Sequence, residues 1–346
     1  MNTNRRVDLP AGRCQNPQAR PPAIRNPAVP AAGLRGFPAP SRFRRLLHLA
    51  AVSRRATNDG CRAFTLPDLL VVLFILTFLA VLLRPALAGS QLEAKSFQCL
   101  SNFRQITQGW IFYAQDNHDV LADNHDYHEY GDYSPPSPPG TPSWCEGWLT
   151  WFVGTPPSDN TNTALLTGVP QNGRFYALLG NYIGSNAQIF RCPADNYASP
   201  AQRAAGWANR CRSIAMDAQV GGGRKWTYGW PSAFTNAVAT MSGFTNPGPS
   251  MSWVFIDEHP DWIDDALFYI DAAETNGVGE FIELSASYLN NGCGISFADG
   301  HAEIHRWQDP RIILPVTYVY QGGIGMSFPA SSPSVDLAWL AQHTPY

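Results

Sequence analysis

A nearly uninterrupted apolar run close to the amino terminus constrains this chain more than any other feature. Residues 64–83 read FTLPDLLVVLFILTFLAVLL, and Asp68 is the only charged residue among them. A helix needs about 20 such residues to cross the roughly 30 Å hydrocarbon core of a bilayer. A buried core helix is the alternative, but the run offers no polar face that a soluble protein could expose. The sequence therefore predicts a membrane-spanning helix over residues 64–84.

The charges are distributed unevenly about residue 63. Residues 1–63 contain 12 arginines, no lysine and two acidic residues, which gives a net charge of +10. Residues 64–346 contain 12 basic and 25 acidic residues, a net charge of −13, so the total of −3 conceals the division. Positive charge marks the cytoplasmic side of a membrane span, so we expect a cytoplasmic N-terminus and an acidic body on the other side. The acidic body argues against a nucleic-acid partner.

Helical spacing continues after Arg84-Pro85. Apolar or small residues recur every three or four positions between residues 86 and 117, as expected of an amphipathic helix. This sequence predicts a long helix that is kinked at Pro85, with an upper stripe that packs on the C-terminal body. The stripe consists of Leu92, Ser96, Cys99, Phe103, Ile106, Trp110 and Tyr113.

The remaining chain is rich in loops, with 29 Pro and 29 Gly in all. The run SMSWVFIDE at 250–258 predicts a buried strand, and GISFADGHAEIHRW at 294–307 predicts a β-hairpin with a type I′ turn at Asp299-Gly300. We therefore expect an α+β fold in which a long N-terminal helix packs on a loop-rich head with an antiparallel sheet. Its expected parts are a disordered basic leader over 1–63, the helix over 64–117, an extracytoplasmic head over 118–310 and an irregular tail over 311–346.

The run from Phe64 to Asn117 resembles the prepilin segment of type IV pilins and type II secretion pseudopilins. That family has a basic leader, a cleavage site, a Phe-Thr-Leu-x-Glu start and an apolar helix that often carries a kinking proline, as Pro85 would here. The start in this chain is AFTLPD, from Ala63 to Asp68. Ala63 replaces the usual Gly, Asp68 replaces the usual Glu, and a Pro stands between Leu66 and Asp68. The resemblance implies cleavage by prepilin peptidase between Ala63 and Phe64, followed by methylation of the new amine.

The body is similar to a narrower group of prepilin-like proteins that share an "H-x9-DG" C-terminal signature. Four stretches match the motifs of that group in order: QCLSNFRQITQGWIFYAQDN at 98–117, FRCPAD at 190–195, RSIAMDAQVGG at 212–222 and the hairpin at 294–307. Leu289 stands ten positions before Asp299, where the group has His. No role of that His therefore transfers to this chain.

The resemblance implies a mechanical or interactive function rather than an enzymatic one. It implies a subunit of a type II secretion or type IV pilus-like assembly, anchored in the inner membrane with a periplasmic or extracellular head. Its partners would be prepilin peptidase and other pilin-like subunits or copies of itself. Asp68 would pair with the Phe64 amine of a neighbouring subunit, or would only cap the helix N-terminus. The runner-up is a membrane-anchored, extracytoplasmic carbohydrate- or protein-binding module that does not polymerise.

Several residues could in principle support chemistry. Five of the seven cysteines follow Phe64, and Cys192 with Cys211 is a candidate disulfide, although other pairings or free thiols remain open. The sequence contains no CxxC, HExxH, Gly-x-Ser-x-Gly or P-loop motif, so we expect no catalytic residue, metal ligand or cofactor. A membrane-tethered metal hydrolase is the less favoured reading. We expect the acidic segment 257–265 to be a solvated loop, for which Ca²⁺ would be the suitable cation. Loop tryptophans such as Trp144 and Trp151 either line a sugar-binding groove or fill the core.

Overall fold

The computed structural model describes residues 64–124, 143–154, 159–168, 177–221, 237–272, 276–322 and 324–346, and it describes their side chains except those of residues 80 and 82–88. The predicted leader, 1–63, lies outside the described residues. Within the described part, the helices and strands form an α+β fold, as expected.

One helix of 51 residues, α1 (Leu66–Asp116), runs through the apolar segment and the amphipathic segment without interruption. The predicted stripe on its second half is confirmed, because Cys99, Phe103, Ile106 and Trp110 are fully buried. Among the described residues that follow, there are three short α-helices: α2 (Ala164–Thr167), α3 (Pro200–Ala204) and the C-terminal α4 (Val335–His343). Single 3₁₀ turns occur at Asp159–Thr161, Gly180–Ile183, Ala187–Phe190 and Met241–Gly243.

In the residues that the structure describes, eight strands form two sheets. In chain order they are β1 (Ile214–Asp217), β2 (Trp253–Asp257), β3 (Leu267–Phe268), β4 (Ile270–Asp271), β5 (Gly279–Phe281), β6 (Gly292–Phe297), β7 (Ala302–Arg306) and β8 (Met326–Phe328). The larger sheet has the order β3-β1-β2-β6-β7, and the smaller has the order β4-β5-β8. The larger sheet is mixed rather than antiparallel, because β3 pairs in parallel with β1.

The predicted strand at 250–258 is confirmed as β2, which is buried along its whole length. The larger sheet lies between two apolar clusters. Along β6, Cys293, Ile295 and Phe297 point to one cluster, while Gly294 and Ser296 face α1, as the two-residue period of a strand requires. The sheet is therefore covered by α1 on one face and by α4 with the smaller sheet on the other.

The hairpin of β6 and β7 is confirmed, but the predicted type I′ turn is wrong. The Gly300 N–H donates to the Phe297 carbonyl at 2.9 Å, and the Phe297 N–H donates to the His301 carbonyl at 3.0 Å. Gly300 has a φ of +95°, whereas Asp299 is not among the residues with positive φ. This is a three-residue loop, in which a type I turn is followed by a left-handed glycine. Asp299 contributes through its carboxylate, which accepts the His301 N–H at 3.0 Å.

The segment 311–346 is not the irregular tail that we expected. It supplies β8 to the smaller sheet, and it ends in α4. Leu337, Leu340 and Ala341 are buried, and their spacing of three and four residues places them on one face of α4. The Ser334 hydroxyl caps the helix by accepting the Leu337 N–H. The tail is therefore an integral part of the head.

Candidate functional site

The first half of α1 exposes its apolar side chains. Their exposed fractions range from 41% at Val72 to 74% at Phe64. Soluble monomers rarely expose a contiguous apolar surface of this extent, so such a surface usually marks a contact with lipid or protein. The exposed side chains are Phe64, Leu66, Leu69, Leu70, Val71, Val72, Leu73, Phe74, Ile75, Leu76, Phe78, Leu79 and Val81; we call them the apolar half of α1.

As far as the described residues extend, none of the helices is both long enough and apolar enough to cross a membrane. The span over residues 64–84 stays a prediction.

Asp68 lies in the first turn of α1, which it caps rather than interrupts. Its Oδ2 accepts the Thr65 N–H at 3.0 Å and the Thr65 hydroxyl at 2.6 Å, and the two residues form a capping box. Pro67 fits within the first turn, where a backbone N–H has no intrahelical partner to lose. Asp68 therefore has the capping role that we considered as the alternative, while its carboxylate remains exposed to a partner. Ala63, the predicted cleavage residue, lies outside the described residues.

The second half of α1 is fixed to the head by close packing and by polar contacts. A Cβ added to Gly294 on β6 would overlap the Phe103 ring, so glycine is what lets the helix and the strand approach each other. The Thr107 hydroxyl donates to Ser296 Oγ at 2.7 Å. The Asn102 amide donates to the Arg191 carbonyl at 2.8 Å. Together these contacts set the position of α1 against the sheet and the loop that follows residue 190.

A buried polar cluster lies beneath this half of α1, where Cys99, Cys192 and Asp257 meet with their ligand atoms within 4.8 Å of one another. Asp257 Oδ1 accepts from Ser213 Oγ at 2.9 Å, and Oδ2 accepts from Cys99 Sγ and from the Gly294 N–H, each at 3.2 Å. The sequence separates Cys99 from Asp257 by 158 residues, so local patterns could not have predicted their contact.

Burial dominates the electrostatics of this cluster. It raises the pKa of the Asp257 carboxyl to about 6, although the hydrogen bonds from Cys99 and Ser213 lower it. Burial also raises the pKa of the Cys99 thiol well above its usual range, and it raises the pKa of Cys192. Both thiols are therefore protonated at neutral pH. The cluster carries at most the single charge of Asp257.

The candidate disulfide between Cys192 and Cys211 is not formed in the structure. Cys192 lies beside Cys99, whereas the Cys211 thiol donates to the Asp159 carbonyl at 3.2 Å. All five cysteines in the described residues are free thiols. Nineteen residues of separation allowed the pairing, but the fold directs the two side chains to different neighbours.

Within the described ranges, the Cys99–Cys192–Asp257 cluster is the one group of three or more potential ligands close enough to hold an ion. It does not suit Ca²⁺, which takes six to eight oxygen ligands. The donor set of two sulfurs and one carboxylate would suit a softer ion. However, both oxygens of Asp257 already accept hydrogen bonds from the protein.

The acidic segment 257–265 is buried, which corrects the expectation of a solvated loop. Asp257, Glu258, Asp261, Asp264 and Asp265 are all less than a tenth exposed. Protein donors replace water at the four aspartates, as buried polar groups require. Glu258 is the exception, because neither of its carboxylate oxygens has a hydrogen-bond partner in the part of the chain that the structure describes. The Asp261 carboxylate accepts four hydrogen bonds. Trp151 Nε1 donates at 2.9 Å, the Thr317 N–H at 2.7 Å, the Thr317 hydroxyl at 2.8 Å and the Tyr318 N–H at 3.0 Å.

Two fully buried arginines accompany the acidic segment. Arg210 stacks on the Trp151 ring at 4.0 Å and donates to the Pro260 carbonyl at 2.9 Å. Arg212 donates to the carbonyls of Ile214 and Asp264, each at 3.0 Å. Sequence reasoning did not predict the burial of these two arginines, because a charged side chain gives no local signal that it will be buried.

The tryptophans and histidines do not form an open binding surface where they can be described. Trp144 and Trp151 are buried, so they fill the core instead of lining a sugar groove. His305 stacks on Trp339 of α4 at 3.7 Å between ring centroids, and His301 lies against Asp299 with Nδ1 2.6 Å from Oδ1. Trp226, Trp230 and the histidines of the loop after residue 124 lie outside the described residues.

Leu289, at the position of the signature His in the group that the sequence resembles, is buried in the core beneath α1. Comparison with family models, with curated proteins and with solved structures finds no match to this chain. The resemblance therefore rests on the sequence motifs alone.

Proposed function

We propose that this chain is a pilin-like subunit that α1 anchors in the inner membrane and that contributes to a type II secretion or type IV pilus-like assembly. The observation that carries the proposal is the contrast in burial along α1. Its apolar half, Phe64 to Val81, is exposed, whereas Cys99 to Ala114 is packed into the head. An apolar helix that projects from a folded head needs lipid before assembly and other helices after it.

Prepilin peptidase would release the basic leader between Ala63 and Phe64 and leave an amine at Phe64. In an assembly, the exposed Asp68 carboxylate would accept the amine of a neighbouring subunit and fix the register between adjacent α1 helices. A charge inside an apolar helix bundle is stable only when it is paired. The capping contact to Thr65 holds the carboxylate at the start of the helix.

Crosslinking of the membrane-embedded protein tests the proposal. We expect multimers of the wild type, and their loss in Asp68→Asn, which removes the charge at constant size. The matched control is Thr65→Ala, which removes the cap and keeps the carboxylate. If Thr65→Ala still forms multimers and Asp68→Asn does not, assembly needs the charge of Asp68 and not the cap. Equal loss in both variants would show that Asp68 acts only as a cap.

Processing has a separate test. N-terminal sequencing of the membrane-extracted protein should start at Phe64. A different first residue would contradict cleavage at Ala63, and an unprocessed chain would contradict the role of the peptidase.

A groove on the head favours the second candidate function, a membrane-anchored binding module that does not polymerise. The groove has a volume of about 690 Å³, and six of its twelve lining residues carry a side-chain amide. Amides offer both donors and acceptors, which suits a sugar or a peptide backbone. The amides are Gln98, Asn102, Gln105, Asn186, Gln188 and Asn209. The absence of multimers in the wild type would favour this function over assembly.

A further inference from the structure

We propose that Cys99 and Cys192 form a disulfide that ties α1 covalently to the head. This inference goes beyond the proposed function and relies on it only for an oxidising compartment. The two sulfurs lie within 4.8 Å of each other, and both residues are fully buried. A disulfide has an S–S distance of about 2.05 Å, so side-chain rotation must bring the sulfurs together.

The backbone on both sides of the pair is held in place by other contacts. Asn102, one turn after Cys99, donates to the carbonyl of Arg191, the residue before Cys192. The Cys192 N–H donates to Ser213 Oγ at 2.9 Å, and that hydroxyl donates to Asp257. The two cysteines therefore face each other because α1 and the loop at 191–192 are joined independently of the sulfurs.

The other three cysteines in the described residues are placed differently. Cys145 is buried near Cys211. Cys211 is directed at the Asp159 carbonyl. Cys293 belongs to the cluster on the face of the sheet away from α1. Cys99 and Cys192 are thus the pair that the fold brings together beneath α1.

The reaction balances with a disulfide-bearing thiol oxidoreductase or with oxidised glutathione as the oxidant. The thiolate of one cysteine attacks the disulfide of the oxidant and releases one thiol. The second cysteine then attacks the mixed disulfide and releases the other thiol. Two electrons and two protons pass from Cys99 and Cys192 to the two thiols of the reduced oxidant. Because the folded pair is buried, the bond must form before α1 packs on the sheet.

A metal site is the competing use of these residues. It would need both thiols deprotonated, although burial raises the pKa of each thiol. It would also need an oxygen of Asp257 that now accepts hydrogen bonds from Ser213 or Gly294. A disulfide leaves the contacts of Ser213 and Gly294 with Asp257 in place and requires no fourth ligand.

Peptide mapping of the full chain tests the inference. The detergent-purified protein is reduced, denatured, refolded in a glutathione redox buffer, alkylated and digested with trypsin without reduction. Trypsin places Cys99 in peptide 96–104 and Cys192 in peptide 192–203, with one cysteine in each. We expect the linked pair of these two peptides to dominate and to disappear after reduction.

Cys293→Ser is the matched control and should retain the linked peptides, whereas Cys99→Ser should lose them and leave Cys192 alkylated. Alkylation of both Cys99 and Cys192 in the oxidised wild type would overturn the inference, and so would a dominant link to another cysteine. One equivalent of zinc retained by the protein, with both thiols alkylated after chelation, would also overturn it. The assay does not depend on assembly, so its failure and the loss of the proposed function are distinguishable.

Discussion

The two halves of α1 have the same secondary structure and opposite surroundings. Phe74 in the first half is 70% exposed, whereas Phe103 in the second half is completely buried against β6. Thr77 bonds only to its own helix, at the carbonyls of Leu73 and Phe74, whereas Thr107 also reaches Ser296 of the sheet. In this helix of 51 residues, the second half therefore packs into the core of the head, and the first half exposes its apolar side chains.

Under the proposed function, this difference separates two tasks of the chain. The packed half needs specific neighbours, because a well-packed interior tolerates little change in side-chain volume. The apolar half needs only an apolar environment, which lipid and neighbouring helices both provide. Substitutions in the packed half should therefore alter the stability of the head, and substitutions in the apolar half should alter anchoring and assembly.

The largest effect is expected from Phe103→Ala. Removing a fully buried Phe side chain should lower the free energy of unfolding of the head by about 3–5 kcal/mol. The matched control is Phe74→Ala, which should change it by less than about 0.5 kcal/mol, because exposed positions contribute little. Denaturant unfolding in detergent, followed by tryptophan fluorescence, measures both. Similar losses in the two variants would remove the distinction between the halves of α1.

The buried carboxyl of Glu146 should make the head less stable as pH rises. Burial raises the pKa of the Glu146 carboxyl to about 7, against an ordinary value of 4.5. Between these two values the unfolded chain ionises while the folded chain keeps its proton, so rising pH favours unfolding. This pKa shift should lower the free energy of unfolding of the head by about 3 kcal/mol between pH 4.5 and 7, at about 1.36 kcal/mol per pKa unit.

Glu146→Gln should reduce this pH dependence, because the amide has no proton to lose. Asp116→Asn, at an exposed position near the end of α1, should leave it unchanged. Unfolding curves at pH 5 and pH 8 measure the difference. A wild-type head that is more stable at pH 8 than at pH 5 would contradict the sign. Since Glu146 lies outside the apolar half, crosslinking yields should not follow this titration.

A smaller loss is expected from Gly294→Ala at the contact between α1 and β6. The added Cβ would overlap the Phe103 ring and lie 2.9 Å from Cys99 Sγ. Overpacking of this kind typically costs about 1–3 kcal/mol. A Cβ added at Gly248 meets no atom within 4 Å, so Gly248→Ala is the control and should be nearly neutral. Denaturant unfolding measures both variants. Equal unfolding midpoints for Gly294→Ala and Gly248→Ala would mean that α1 can move away from β6 at little cost in free energy.

Local patterns predicted the elements that periodicity determines. The stripe on α1, the buried strand β2 and the β6–β7 hairpin each follow from spacing within one segment. The C-terminal helix α4 had a signal of the same kind, a Ser cap followed by Leu337 and Leu340, and it was overlooked.

The features that sequence reasoning could not predict depend on distant segments. Cys99 meets Cys192 and Asp257 only because α1 crosses the sheet beside the loop at 191–192. The acidic segment 257–265 resembles a surface loop until the donors that replace water are known, and at Asp261 these come from residues 151 and 317–318. Burial of a charged residue depends on tertiary partners, which a single segment does not reveal.

The smallest effect is expected at the first turn of α1. Thr65→Ala removes the hydroxyl that donates to Asp68 Oδ2 at 2.6 Å and the capping box of which it is part. Loss of such a cap typically costs about 1 kcal/mol, which corresponds to roughly fivefold faster amide hydrogen exchange in that turn. The head should unfold at the same denaturant concentration as the wild type, because Thr65 caps the end of α1 that lies away from the head. A shift in the unfolding of the head would show that the two halves of α1 are energetically coupled, contrary to the division that their burial indicates.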